Sequence, residues 1–64
     1  MAFTVSSSLN NGIAQVNLVG ELDGSVAGQF KAAVEEAAGW NPRRLVLLLQ
    51  DLVYMSSAGL RVLV

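Results

Sequence analysis

The run Leu45-Val-Leu-Leu-Leu49, followed by Asp51 and then Ser56-Ser57-Ala58-Gly59, limits this chain more than any other feature. Five apolar residues without alternation suit a strand covered on both faces, as in a parallel sheet crossed by helices. Asp51 then closes the strand, and the Ser-Ser-Ala-Gly turn opens an apolar helix near Ser57 or Ala58. Ser56 and Ser57 stand at or beside that helix N-terminus, where backbone N–H groups lack intrahelical partners and the helix dipole is positive. A serine there is either a cap or a place where a phosphate is carried at little cost to the fold. The choice separates a switch from a small α/β fragment.

Upstream, Phe3, Val5, Ser7 and Leu9 alternate with Thr4, Ser6 and Ser8, the period of a half-buried strand. Asn10-Asn11-Gly12 supplies residues that accept positive φ in a tight turn. Ala14, Val16 and Leu18 then alternate with Gln15 and Asn17 up to Val19-Gly20. These two runs predict an antiparallel hairpin, and Glu21-Leu22-Asp23-Gly24 reads as a break. Val26, Phe30, Ala33, Val34 and Ala37 form one stripe of a helix over residues 25–38, with Lys31, Glu35 and Glu36 opposite. Ser25 is placed to cap it, Gly39 to stop it, and Pro42 to prevent its continuation. Trp40 reads as a lid over its end. Gly24 and Gly28 are spaced as a small-residue pair that packing of this helix explains. Strand, helix, strand in that order implies a right-handed βαβ crossover between residues 13 and 50.

Leu60, Val62, Leu63 and Val64 are apolar, and no cap or stop follows them. A helix so short is not stable unaided. The chain therefore reads as a truncated domain, or one completed by another copy or a partner. The same incomplete edge would serve self-association.

The 64 residues carry a net charge of −1, with no cysteine and no histidine. Near-neutrality leaves no electrostatic footprint for nucleic acid or an anionic bilayer. No apolar run approaches the ~18 residues that span a membrane, and the N-terminal segment lacks the pattern of a signal peptide. A cytoplasmic protein with no metal or cofactor is expected. Without histidine, the usual general base and metal ligand are missing. The nucleophile elbow of esterases needs glycine two residues before and after its serine. Met55 and Gly59 flank Ser57 at those positions, so half the motif fails and an enzyme is not expected.

Three features coincide: Gly20-Glu21-Leu22-Asp23 between strand and helix, the apolar strand ending at Asp51, and Tyr54-Met55-Ser56-Ser57-Ala58-Gly59-Leu60. Together they resemble the STAS domain, and within it the bacterial anti-sigma-factor antagonists. The resemblance runs through all 64 residues and implies a single domain over 1–64, the N-terminal two-thirds of such a fold. It implies an α/β architecture with a mixed sheet: an N-terminal antiparallel hairpin, a βαβ unit and the start of a second helix, with helices mainly on one side.

It further implies a partner, an anti-sigma factor that is itself a serine kinase, and a serine phosphorylated by it two residues before the turn glycine. Counted back from Gly59, that serine is Ser57. Family members often carry an acidic residue where this chain has Ser56, and a hydroxyl residue where it has Ala58. Ser56 thus competes for the acceptor role. Asp23 and Asp51, each at the end of a parallel strand, would share the sheet edge where α/β proteins place their sites. Asp23, Asp51, Ser56, Ser57 and Gly59 are accordingly expected to form the recognition edge. Asp23 and Asp51 also have structural readings, as caps of the helix and of the turn. The alternative function is a non-switching STAS scaffold, in a lipid-transport or stress-signalling assembly.

Overall fold

The structure is a computed structural model that describes residues 2–63. Val64, counted above in the apolar end, lies outside the described residues. The elements run β1 (Phe3–Asn10), β2 (Ile13–Leu22), α1 (Ala27–Gly39), β3 (Arg44–Met55) and α2 (Ser57–Leu63). The sheet order is β1-β2-β3, with β1 antiparallel and β3 parallel to the central β2. This is the mixed sheet expected from the sequence.

Asn11 and Gly12 form the two-residue hairpin loop, with φ of 53° and 77°. Positive φ at both positions is what a type I′ turn requires, and it matches the twist of the strands it joins. The loop is also tied to the third strand. Arg43 donates its backbone N–H to the Gly12 carbonyl (2.7 Å) and a guanidinium N–H to the Asn11 carbonyl (2.6 Å).

The core lies on one side of β2. Ala14, Val16, Leu18 and Leu22 are fully buried there, and Phe30 and Ala37 of α1 pack onto them with no exposure of their own. Val26, Ala33, Val34 and Trp40 pack against the same cluster, so the helical stripe faces the sheet as its spacing predicts, and Trp40, just past the helix, joins the core. Val62 joins from α2, which places both helices on that one side.

Four details depart from the sequence reading. β2 does not end at Gly20 but continues to Leu22. Gly20 takes φ 98° within the strand, and a Cβ there would run into the Ala2 carbonyl, so the glycine permits close pairing instead of ending the strand, and Glu21 and Leu22, read as the start of a break, belong to β2. α1 begins after Val26, with no side-chain cap, so Ser25 does not cap it. The left-handed residue that ends it is Asn41 (φ 56°), two positions beyond Gly39. Gly28 meets no neighbouring atom within 4 Å, whereas Gly24 lies in the preceding turn, so helix packing does not account for the pair.

The largest departure is β3. It runs on to Met55, so Asp51 lies inside the strand, paired with Val19. Its twelve residues run beside ten of β2, and the register slips between Asn17 and Val19 and again between Gly20 and Glu21. Each slip accommodates one extra residue of β3, a β-bulge. Strict alternation from Leu45 and Leu47 would turn Asp51 toward the core. The first bulge sends it to the open face and brings Leu52 inward, and the second returns Met55 to the core side. The apolar run is not covered on both faces among the described residues, because β3 is an edge strand with helices on one side only. Leu45 remains 36% exposed and Leu49 43%.

Phe30→Ala should lower stability by ~3–5 kcal/mol, the cost of a large buried cavity. Chemical denaturation followed by circular dichroism measures it, and a loss of a few tenths would place the ring at the surface. Gly20→Ala should also destabilise the fold, with loss of amide protection in β1 measured by hydrogen exchange.

Candidate functional site: the edge formed by the β2–α1 turn and the start of α2

The C-terminal ends of β2 and β3 meet at one edge. Leu22 pairs with Met55, and the Ser56 N–H donates to the Leu22 carbonyl at 2.8 Å. That bond sets the start of α2 beside the β2–α1 turn. A Cβ on Gly24 would touch the Ala58 methyl at 4.0 Å, so the turn and the first residues of α2 are in van der Waals proximity.

Asp23 organises the turn. One of its carboxylate oxygens, Oδ1, accepts the Ser25 N–H (2.9 Å) and the Ser25 hydroxyl (2.6 Å), while its carbonyl accepts the Val26 N–H (3.2 Å). This Asx-type turn is local chemistry that Asp shares with few residues. The Ser25 hydroxyl, followed by its N–H, holds the Asp23 carboxyl below its ordinary value of 3.8. Asp23 is exposed and therefore presents an anion at the edge at any physiological pH.

The two serines differ sharply. Ser56 precedes α2, and its carbonyl accepts the N–H groups of Gly59 (3.1 Å) and Leu60 (3.2 Å). Its hydroxyl oxygen is buried and has no hydrogen-bond partner. Ser57 is the first residue of α2 and is exposed. Leu60 and Arg61, three and four residues further along, share its side of the helix and are exposed as well.

Gly59 is buried, and a Cβ there would lie 2.8 Å from Met55 Cγ and 2.9 Å from Leu22 Cδ2. Its absent side chain lets α2 settle onto two core residues, which fixes the height of Ser57 above the sheet. It presents no side chain to a partner. Asp51 does not reach this edge. It lies three ladder steps back on the open face, roughly 10 Å at the rise of a strand. The structure thus brings Asp23, Ser56 and Ser57 together, sets Gly59 beneath them and leaves Asp51 apart. Leu60 and the Leu22 carbonyl were not anticipated. The exposed leucine was readable from helical spacing with Ser57, but nothing in the sequence marks the carbonyl.

With this geometry in place, comparison with known proteins is specific. Residues 5–64 match the family model of the STAS domain. The chain belongs to the STAS domain family. It is 32% identical over 62 residues to the anti-sigma-F factor antagonist RsfB of Mycobacterium tuberculosis, in strains CDC 1551 and H37Rv alike. That alignment covers 97% of this chain and 51% of the relative, so the chain spans about half the length of the curated relatives it matches. Among solved structures, an anti-sigma factor antagonist from Mycobacterium paratuberculosis superposes with a TM-score of 0.89 at 26% identity, over 97% of this chain and 53% of that one. No helix among the described residues is long and apolar enough to cross a membrane.

Two measurements check this edge. The Asp23 carboxyl should titrate below 3.8 by NMR and move back toward it in Ser25→Ala. Because the folded-state value is depressed, the contribution of Asp23 to stability is present above the unfolded-state value and fades as pH falls through the lower one. Gly59→Ala should destabilise the fold by about 1–3 kcal/mol through overpacking against Leu22 and Met55. Unchanged thermal unfolding in that variant would mean that α2 does not rest on those side chains.

Proposed function

We propose that this chain carries the switch region of an anti-sigma-factor antagonist. In this reading it acts in the cytoplasm, binds an anti-sigma factor that is a serine kinase, and loses that binding when Ser57 is phosphorylated. It thereby regulates sigma-factor-dependent transcription as a binding protein, not as an enzyme. Membership of the STAS family and the similarity to two antagonists support the class of function. The observation that carries the residue assignment is the contrast between the exposed Ser57 and the buried hydroxyl of Ser56. A kinase must reach the acceptor oxygen, and only the former offers it without unpacking the edge.

The physics of the modification fits a switch of binding. Phosphate adds about −1.5 to −2 charges and three acceptor oxygens. At the first turn of a helix that charge meets free N–H groups and the positive end of the dipole. Arg61, one turn further on, is placed to share it. The fold therefore tolerates the phosphate. A partner laid over Leu60 and the Asp23 turn would have to desolvate a dianion beside an existing carboxylate, which is unfavourable. Asp23 in this arrangement meets a basic group of the partner.

Incubation of the full-length protein with its cognate kinase and ATP, followed by mass mapping, tests the assignment. Modification at Ser57 is expected. Ser57→Ala should keep the fold and remain competent to bind, and Ser57→Asp should weaken binding less than phosphate does. Modification at Ser56 would shift the acceptor by one residue. No modification, with binding indifferent to both substitutions, would replace the switch by the scaffold reading.

A further inference from the structure

The hairpin loop joins a reactive dipeptide to a clamp. Of the four asparagines, only Asn11 is followed by glycine. A glycine puts no side chain in the way when its own nitrogen attacks the preceding side-chain carbonyl. Asn11 is exposed and its side-chain amide makes no hydrogen bond among the described residues, nor does any acceptor there take the Gly12 N–H. Arg43 lies across this loop. Its backbone N–H and its guanidinium hold the Gly12 and Asn11 carbonyls. Its side chain also covers the glycine, since a Cβ on Gly12 would meet Arg43 Nε at 2.7 Å, Cγ at 3.5 Å and Cδ at 3.6 Å.

We propose that Asn11-Gly12 is a site of spontaneous deamidation, and that Arg43 sets its rate by holding the turn shut. In the reaction the Gly12 nitrogen bonds to Asn11 Cγ, the Cγ–Nδ2 bond breaks, and ammonia leaves with the proton from the Gly12 nitrogen. Water then opens the cyclic imide at either carbonyl, leaving an aspartate or an isoaspartate at position 11. The closed turn forbids the first step. A type I′ turn sets ψ of its first central residue at about +30°, which puts the next nitrogen nearly opposite Cβ about the Cα–C bond. The ring closes only after that bond turns by more than a right angle, and the Asn11 carbonyl turns with it. That carbonyl is the one the Arg43 guanidinium holds at 2.6 Å. A hydrogen bond from a cation is the stronger kind, and opening the loop must break it. The two products differ in effect. An aspartate before glycine suits the same turn, with a carboxylate now beside the guanidinium. An isoaspartate routes the chain through the side chain and adds a backbone atom, so the two-residue loop no longer fits and both Arg43 ties are lost. The loop lies at the opposite end of the ladder from the pairing of Leu22 with Met55, so this site is independent of the function proposed for Ser57.

Peptide mass mapping of the full-length protein, incubated near neutral pH and well below its unfolding temperature, tests the proposal. Conversion of amide to acid at Asn11 is expected, slower by roughly tenfold or more than in the same protein unfolded in urea, because only the opened turn reacts. Arg43→Ala removes the guanidinium bond and keeps the backbone one. Its circular dichroism should match the wild type, while conversion at Asn11 speeds up by about three- to tenfold. In urea the two proteins should convert at the same rate, which separates release of the turn from any change in intrinsic reactivity. Asn11→Gln, whose ring would need an extra atom, should show no conversion there. Equal rates in the folded and unfolded wild type would overturn the protection by the turn. A folded Arg43→Ala that converts no faster than the wild type would overturn the role of the arginine, and no conversion in urea would remove the site.

Discussion

One stripe of side chains along β2 holds this molecule together. Ala14, Val16, Leu18 and Leu22 are all withdrawn from water. Phe30 and Ala37 of α1 pack onto them, and so do residues of both neighbouring strands, among them Val5 and Leu47. A fully buried side chain of this kind contributes about 1.5–3 kcal/mol relative to exposure, and a small domain has few of them to rely on. Phe30 is the largest group set against the stripe, so the hold of α1 on the sheet rests mainly on that ring. The far side of β2 carries Gln15, Asn17 and Glu21, and no helix among the described residues covers it.

That one-sidedness explains the bulges of β3. A strand beside β2 must place apolar side chains where the helices are and keep its carboxylate away from them. Regular alternation would bury Asp51 without a compensating partner, which is costly for a charged group. Two extra residues correct the phase, once before Asp51 and once before Met55. The second correction matters for the candidate site, since Met55 and Gly59 together seat α2 against Leu22.

Much of this was legible in the sequence, and the reasons are local. Asn11-Gly12 encodes its turn through backbone conformations that few residues accept, and the stripe from Val26 to Ala37 encodes the face of α1. Ser57 at a helix start and Asp23 after a strand were readable from residue type and position. What was hidden depends on pairing between segments. Gly20 reads in sequence as the end of its strand, and its pairing with Phe3 and its approach to the Ala2 carbonyl show it to lie within the ladder. Asp51 resembles a strand terminus because acids usually end apolar runs. Its true place follows from a register that β3 acquires against β2 and does not carry in its own pattern. Ser56 and Ser57 are adjacent and chemically identical, and the burial that separates them arises from the hydrogen bond of Ser56 to Leu22.

The tie from Arg43 to the hairpin loop bears on the order in which the chain assembles. The hairpin closes through a two-residue turn, an event of microseconds, whereas β3 must return across α1 and lose the entropy of a long loop. The carbonyls of Asn11 and Gly12 offer the returning strand two acceptors at the very start of the parallel ladder. Pairing that begins there grows residue by residue toward Leu22 and Met55. The edge carrying Asp23 and Ser57 is then the last part to form and the first to fray, and transient opening at that end would leave the stripe around Phe30 closed.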